Sequence, residues 1–168
     1  GVLSGTAPDL TYTPTANYHG ADSFTFTVND GTVDSNEATV SITVNPINDA
    51  PSAVNDNAAV NEGAVVTIDL TANDTDTDNA LNLGSIQIVG GPANGSVVVN
   101  GDGTVTYAHN GSETAADSFT YTIRDASGAV SNVATVSITV NPVNDAPVAI
   151  NDNAAVNEGA AMTIDLAA

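Results

Sequence analysis

Three aspartates at alternate positions, Asp74, Asp76 and Asp78, are the residues of this chain best suited to chemistry. They lie in the segment NDTDTDN, which follows an apolar run that we predict to be a strand. Alternate carboxylates in a loop can converge on one hard cation, and Ca²⁺ takes about six to eight oxygen ligands. The segment therefore predicts a calcium site, and the alternative interpretation is an acidic turn that binds only water.

Further oxygen ligands come from a proline-rich segment that occurs twice. NPINDAP spans residues 45–51 and NPVNDAP spans residues 141–147. The prolines stiffen each segment, and the oxygens come from Asn48, Asp49, Asn144 and Asp145. Each segment is interpreted as a linker that offers ligands between two domains, with an ordinary hinge as the alternative.

A third group of carboxylates flanks a strand that also occurs twice. Asp22 and Asp117 stand at its start, whereas Asp30 and Asp125 stand at its end. Because the two ends of a strand reach opposite poles of a sandwich, one of these two pairs is expected to face the next repeat and the other pair the previous one.

These residues are positioned by a long internal repeat. Residues 48–72 and residues 144–168 are identical at 20 of 25 positions, with an offset of 96. This period is too long for a helical solenoid and fits one small β-sandwich per repeat. We predict a half-repeat at 1–47, a linker at 48–51, a complete repeat at 52–143, a linker at 144–147 and the first strands of a third repeat at 148–168.

The complete repeat reads as seven short strands rich in Val, Ile and Thr. Their predicted bounds are 52–60, 65–71, 83–89, 97–99, 104–107, 118–123 and 133–140. NGDG at residues 100–103 predicts a tight hairpin, since Asn and Gly tolerate positive φ. No segment shows a helical period, so the fold class is all-β, with tandem seven-stranded Greek-key sandwiches.

The charge of the chain excludes several partners. It has 20 acidic residues against one basic residue, Arg124, and a net charge of −19. Nucleic-acid and anionic-membrane surfaces need clustered Lys and Arg, and no apolar run is long enough to cross a membrane. Two carboxylates 4 Å apart repel by roughly 4 kcal/mol near a surface, so a fold that gathers such groups needs a counter-ion or keeps them well separated. No catalytic motif stands out, so an enzyme is not expected.

The sequence resembles the bacterial cadherin-like and immunoglobulin-like repeats of large secreted adhesins of the RTX type. The NDAP linker, the segment ANDTDTDNA and the strand that ends at Asp125 carry this resemblance. Glu62 and Glu158 in the segment VNEG resemble the glutamate near the base of a cadherin domain. The resemblance implies Ca²⁺ at the junctions between repeats.

Carried over position by position, the resemblance implies two ligand sets. The first junction would use Asp22, Asn48, Asp49, Asp74, Asp76, Asp78 and Asp125. The second junction would use Glu62, Asp117, Asn144 and Asp145.

We therefore expect an extracellular structural repeat of a secreted or cell-surface adhesin, stalk or matrix filament, stiffened by calcium. Its partners would be neighbouring repeats of the same or identical chains, with other surface or matrix components or glycans as further candidates. The alternative function is a carbohydrate-binding module, for which Tyr18 is the exposed aromatic candidate. Neither half-repeat should be stable alone, so each is expected to be supported by further sequence or by another chain. End segments that are detached and unpaired would count against a slice of a filament.

Overall fold

The computed structural model describes residues 1–166, and every regular element in this range is a β-strand. The first four strands form two antiparallel hairpins. β1 (Val2–Thr6) pairs with β2 (Asp9–Thr13), and β3 (Gly20–Phe26) pairs with β4 (Ala38–Val44). These hairpins correspond to the predicted half-repeat.

Seven further strands form the complete repeat. They are β5 (Asp56–Asn61), β6 (Val65–Asp69), β7 (Leu81–Gly90), β8 (Gly95–Val99), β9 (Thr104–His109), β10 (Ala116–Asp125) and β11 (Ala134–Asn141). The prediction of seven strands is confirmed, although the first begins at Asp56 rather than at Ser52. Ser52 instead forms an isolated bridge with Thr75. Residues 52–55 therefore connect the linker to the sheet and are not part of β5.

The strands of the complete repeat form a sandwich of two sheets. One sheet has the order β5-β11-β10-β7, in which β5 runs parallel to β11, and the other has the order β6-β9-β8. The turn between β8 and β9 contains Gly101 and Gly103 at φ of 82° and 91°, which confirms the predicted hairpin. The fold is the expected all-β sandwich.

The core lies between the two sheets and is built by alternate residues. On β11, Ala134, Val136, Ile138 and Val140 are buried, whereas the threonines and serine between them are more exposed. These side chains pack against the largest fully buried residues, namely Leu70, Tyr107, Phe119, Tyr121 and Ile123. Alternation along each strand therefore predicts the inward face correctly.

The half-repeat has the same sequence pattern but no closed core. Phe26 is 43% exposed, whereas its counterpart Tyr121 is fully buried. Leu10 and Val28 are likewise exposed, and their counterparts Val105 and Ile123 are buried. The two hairpins thus present open apolar faces.

Residues 144–166 carry no strand, although they duplicate the sequence that forms β5 and β6. Within the described range the C-terminal segment joins no strand ladder, and each N-terminal hairpin pairs only its own two strands. End segments outside any larger sheet are the outcome that was expected to count against a slice of a filament. The described residues contain no helix that could span a membrane.

Candidate metal sites at the repeat junctions

The first junction brings the linker, the loop after β6 and the end of β10 together. The Asn48 side-chain amide donates to Asp125 Oδ2 at 2.6 Å, and the Asp49 amide N–H donates to Asp78 Oδ2 at 3.3 Å. Asn79 Nδ2 also donates to Asn48 Oδ1. Four predicted ligands, Asn48, Asp49, Asp78 and Asp125, are thus assembled by hydrogen bonds.

Asp76 orders the loop with one oxygen and leaves the other without a partner. Its Oδ1 accepts the amide N–H groups of Asp78 at 3.0 Å and Asn79 at 2.6 Å. Its Oδ2 is buried and has no hydrogen-bond partner among the described residues. A buried carboxylate oxygen without a partner is costly, and a cation would supply one.

Asp125 is ionised at the base of this junction. Its side chain is buried, and its Oδ1 accepts the Ala129 amide N–H at 2.8 Å. The hydrogen bond from Asn48 is the main cause that holds the pKa of Asp125 below its usual value. The group therefore offers a negative charge under ordinary conditions.

Asp74 faces the sandwich interior instead of the linker. Its Oδ1 accepts the Val54 amide N–H at 2.7 Å, and the Tyr121 hydroxyl lies 3.1 Å from its Oδ2. The same hydroxyl lies 3.1 Å from Asp56 Oδ2. Burial raises the pKa of both Asp56 and Asp74. The structure thus places Asp74 in a polar cluster with Tyr121, which the sequence analysis missed, and not with Asn48 and Asp78.

The second junction contains a tighter carboxylate group. Ligand oxygens of Glu62, Glu113 and Asp145 all lie within 4.8 Å of one another. They come from three separate segments: the end of β5, the loop between β9 and β10, and the second linker. The charge of Glu62 is the main cause that raises the pKa of Glu113, with burial and Asp145 adding to it. Three carboxylates at this spacing repel one another when they are ionised.

The second linker is held close to this group. The Val143 amide N–H donates to Glu62 Oε2 at 3.3 Å, and the Glu62 amide N–H donates to the Asn141 carbonyl at 2.9 Å. Asn144 Nδ2 donates to the Asp145 carbonyl at 3.2 Å, as Asn48 does to the Asp49 carbonyl at 3.0 Å. The two linkers thus share this hydrogen bond within their Asn-Asp pairs.

Asp117 is not brought to Glu62 and Asp145. Its Oδ1 accepts the Ala93 and Ser118 amide N–H groups, while its Oδ2 accepts the Asn94 amide N–H and the Tyr107 hydroxyl, all at 2.8–3.0 Å. Each oxygen of this carboxylate therefore accepts two hydrogen bonds from the surrounding chain.

Asp22 repeats this arrangement in the half-repeat. The Tyr12 hydroxyl donates to Asp22 Oδ2 at 2.6 Å, and this bond is the main cause that lowers the pKa of Asp22 to about 2. Asp22 and Asp117 are thus anchors of equivalent tyrosines, and neither joins the carboxylates of a junction.

Glu113 is the site residue that the sequence analysis missed. Its counterpart in the half-repeat is Tyr18, so the duplication gives no signal at this position. Arg124, the one basic side chain, donates to the Gly128 carbonyl at 2.9 Å. Among the described residues no side-chain cation therefore neutralises either junction.

The chain is similar to two domain families. Residues 48–142 match the family model of the bacterial cadherin-like domain, and residues 1–43 match that of the bacterial Ig domain. Integrin beta-like protein B of Dictyostelium discoideum is 45% identical over 65 residues, which are 38% of this chain and 3% of that protein.

Solved structures give a weaker likeness. The endo-fucoidan hydrolase MfFcnA4 of glycoside hydrolase family 107 aligns with a TM-score of 0.39 and 23% identity, over 85% of this chain and 22% of that one. MfFcnA9 of the same family gives a TM-score of 0.37 and 17% identity, over 83% and 27%. The chain thus spans a small part of each of these proteins. Since the cadherin-like match covers more than half of its residues, the chain belongs to the bacterial cadherin-like domain family.

Proposed function

We propose that the chain is an extracellular structural repeat of a bacterial adhesin, stalk or matrix filament, in which Ca²⁺ at the junctions stiffens the array. Bacterial cadherin-like and Ig domains are typical of extracellular or surface proteins and are typically not enzymatic. The observation that carries the calcium proposal is the convergence of Glu62, Glu113 and Asp145. No catalytic role is proposed for any residue.

The chemistry of the donors supports a hard cation such as Ca²⁺ over soft metals. Both junctions offer carboxylate, amide and backbone oxygens, and the chain has no cysteine. Hard oxygen donors suit Ca²⁺, whereas soft metals prefer thiolates. A cation bound to Glu62 and Glu113 would tie the body of the repeat to Asp145 of the linker, and so restrict the angle to the next repeat.

A calcium titration by isothermal calorimetry tests the binding site. We expect chelator-treated chain to bind Ca²⁺, and Glu113→Gln to weaken the tightest site at least tenfold, because it removes one of three charges. Glu37→Gln makes the same charge change at an exposed glutamate outside the junctions and should leave the affinity unchanged. Equal affinities for the two variants would overturn the assignment.

The Asp76→Asn variant tests the first junction in the same titration. The substitution keeps one oxygen for the amides of Asp78 and Asn79 and removes the charge of the buried oxygen. We expect it to weaken or remove one binding event while Asp9→Asn, an exposed hairpin residue, leaves all events intact. Unaltered calcium binding by the Asp76→Asn variant would show that Asp76 is not a ligand.

Small-angle X-ray scattering tests the stiffening. We expect a longer and better-defined maximum dimension with Ca²⁺ than with a chelator, because the linkers become fixed. An unchanged maximum dimension would refute stiffening while leaving calcium binding possible.

One groove favours carbohydrate binding as the second candidate function. It encloses about 490 Å³ at the first junction and is lined by the exposed ring of Tyr18 together with Asn17, Pro46 and Asp78. Aromatic rings beside amides and carboxylates suit sugar faces and hydroxyls. Binding on a glycan array that Tyr18→Ala abolishes would support this function, and no binding by the parent chain would refute it.

A further inference from the structure

A buried histidine lies beside the carboxylates of the second junction. His109 is the last residue of β9 and follows Val105 and Tyr107 at the inward positions of this strand. Its side chain is only 6% exposed, so its ring nitrogens need hydrogen-bond partners within the protein. Those partners lie in the two segments that carry Glu62 and Glu113.

One ring nitrogen of His109 joins the main chains of these two segments. Its Nδ1 accepts the backbone N–H of Gly63 at 3.2 Å and that of Gly111, also at 3.2 Å. Gly63 directly follows Glu62, in the turn between β5 and β6. Gly111 lies two residues before Glu113, in the loop between β9 and β10. The two segments are in contact, since a Cβ at position 63 would lie 3.9 Å from the Gly111 Cα.

The two bonds to Nδ1 assign the tautomer of the ring. A nitrogen that accepts from two N–H groups carries no hydrogen, so the neutral ring carries its proton on Nε2. His109 Nε2 lies 3.2 Å from Thr114 Oγ1, which can accept that proton. Thr114 directly follows Glu113 in the chain. The imidazole is therefore bound one residue from each of the two glutamates.

The half-repeat lacks both the histidine and the glutamate of this loop. The counterparts of His109 and Glu113 are Pro14 and Tyr18. Proline offers no side-chain acceptor, and tyrosine offers no carboxylate. The two residues are thus present together in one copy of the loop and absent together from the other, which favours a shared role.

We propose that His109 is a positioning residue of the second junction, which holds Glu62 and Glu113 at the spacing that a cation needs. This inference rests on the proposed calcium site and names what sets its geometry. Two ionised carboxylates repel, so the segments that carry them tend to separate before the ion binds. The three hydrogen bonds of the imidazole oppose this separation. They preorganise the ligands in the way that hydrogen bonds behind the ligands of a metal site do.

A calcium titration by isothermal calorimetry tests the effect on affinity. His109→Leu keeps an apolar side chain but removes the acceptor, so it should weaken the binding event that Glu113→Gln also weakens by about tenfold or more. His109→Asn places Oδ1 near the position of Nδ1, so it should bind nearly as tightly as the parent chain.

Val105→Ala is the matched control. Val105 is buried on the same strand but pairs with Ile68 and Val99, away from the two segments. The control should therefore lower the stability of the core and leave calcium affinity unchanged. An equal loss of affinity in His109→Leu and Val105→Ala, no loss in His109→Leu, or a loss in His109→Asn as large as in His109→Leu would overturn the proposal.

Nuclear magnetic resonance tests the hydrogen bonds in the chelator-treated chain, without calcium. Long-range ¹H–¹⁵N spectra should place the proton of the neutral His109 ring on Nε2. The Gly63 and Gly111 amides should exchange with solvent about tenfold faster or more in His109→Leu than in the parent chain. A proton on Nδ1, or unchanged exchange at both glycines, would overturn the proposal even where calcium binds. A parent chain that binds no Ca²⁺ would instead refute the proposed function, and with it any effect of His109 on affinity.

Discussion

At the scale of single residues, Asp117 acts as an anchor for the turn before β8. Burial alone would raise its pKa, but the hydrogen bonds from Tyr107 and from the amides of Asn94, Ser118 and Ala93 outweigh burial and lower it. A carboxylate that holds four donors is difficult to replace, because an amide can accept with only one of its two ends. This residue therefore contributes to stability through its charge.

We predict that Asp117→Asn lowers the free energy of unfolding by about 1–3 kcal/mol at neutral pH, measured by urea denaturation. Tyr107→Phe should cost less, since it removes one of the four donors and leaves the three amides in place.

The lowered pKa of Asp117 also predicts that its contribution to stability depends on pH. The folded pKa of Asp117 is depressed, so its stabilisation is fully present above the unfolded value of about 3.9. It is lost as the pH falls through the folded value. The difference between the parent chain and Asp117→Asn should therefore be constant from pH 7 to about 5 and should shrink below about pH 4. A difference that persists unchanged to pH 3 would contradict a charge-dependent role.

Some site residues can be predicted from the sequence around them, whereas others come together only in the folded structure. Asn48, Asp49 and Asp78 are predictable because their types stand together in short loops that the repeat places at one pole. Glu113 is not predictable, since it meets Glu62 only when the loop between β9 and β10 folds beside the end of β5. The burial of Asp74 against Tyr121 is equally hidden, because the sequence gives no sign of which aspartate of an alternating series faces inward.

At the scale of strands, the alternation of side chains predicts which residues face the core but not whether a strand forms. The inward face of β11 follows directly from its sequence. By contrast, residues 152–157 repeat the sequence DNAAVN of β5 and remain without a strand. Partner strands decide the outcome, since an isolated strand leaves its backbone groups unpaired and its apolar side chains in water.

The duplicated sequence allows the same substitution in both contexts. We predict that Val60→Asp destabilises the complete repeat by about 3 kcal/mol or more, because it places a charge in the core. Val156→Asp, in a nearly identical local sequence, should leave the urea midpoint of the complete repeat unchanged, since Val156 is exposed. Equal losses in the two variants would show that the C-terminal segment is packed on the repeat in solution.

At the scale of the whole molecule, the net charge of −19 opposes the compact state, so any cation stabilises the chain to some extent. Screening by Na⁺ acts on all charges together and depends only on ionic strength. Binding at a junction instead depends on the identity of the ion and on the carboxylates that hold it. Thermal unfolding can separate these two contributions.

We predict that CaCl₂ raises the melting temperature far more than NaCl does at equal ionic strength. A site saturated at 100 times its Kd adds about 2.7 kcal/mol, which is roughly 10–20 °C for a domain of this size. Glu113→Gln should remove most of the calcium-specific increment and leave the effect of NaCl unchanged, because it alters one site and only one of 20 acidic groups. If CaCl₂ and NaCl gave equal shifts, general screening would account for the stabilisation and the junctions would not be specific calcium sites.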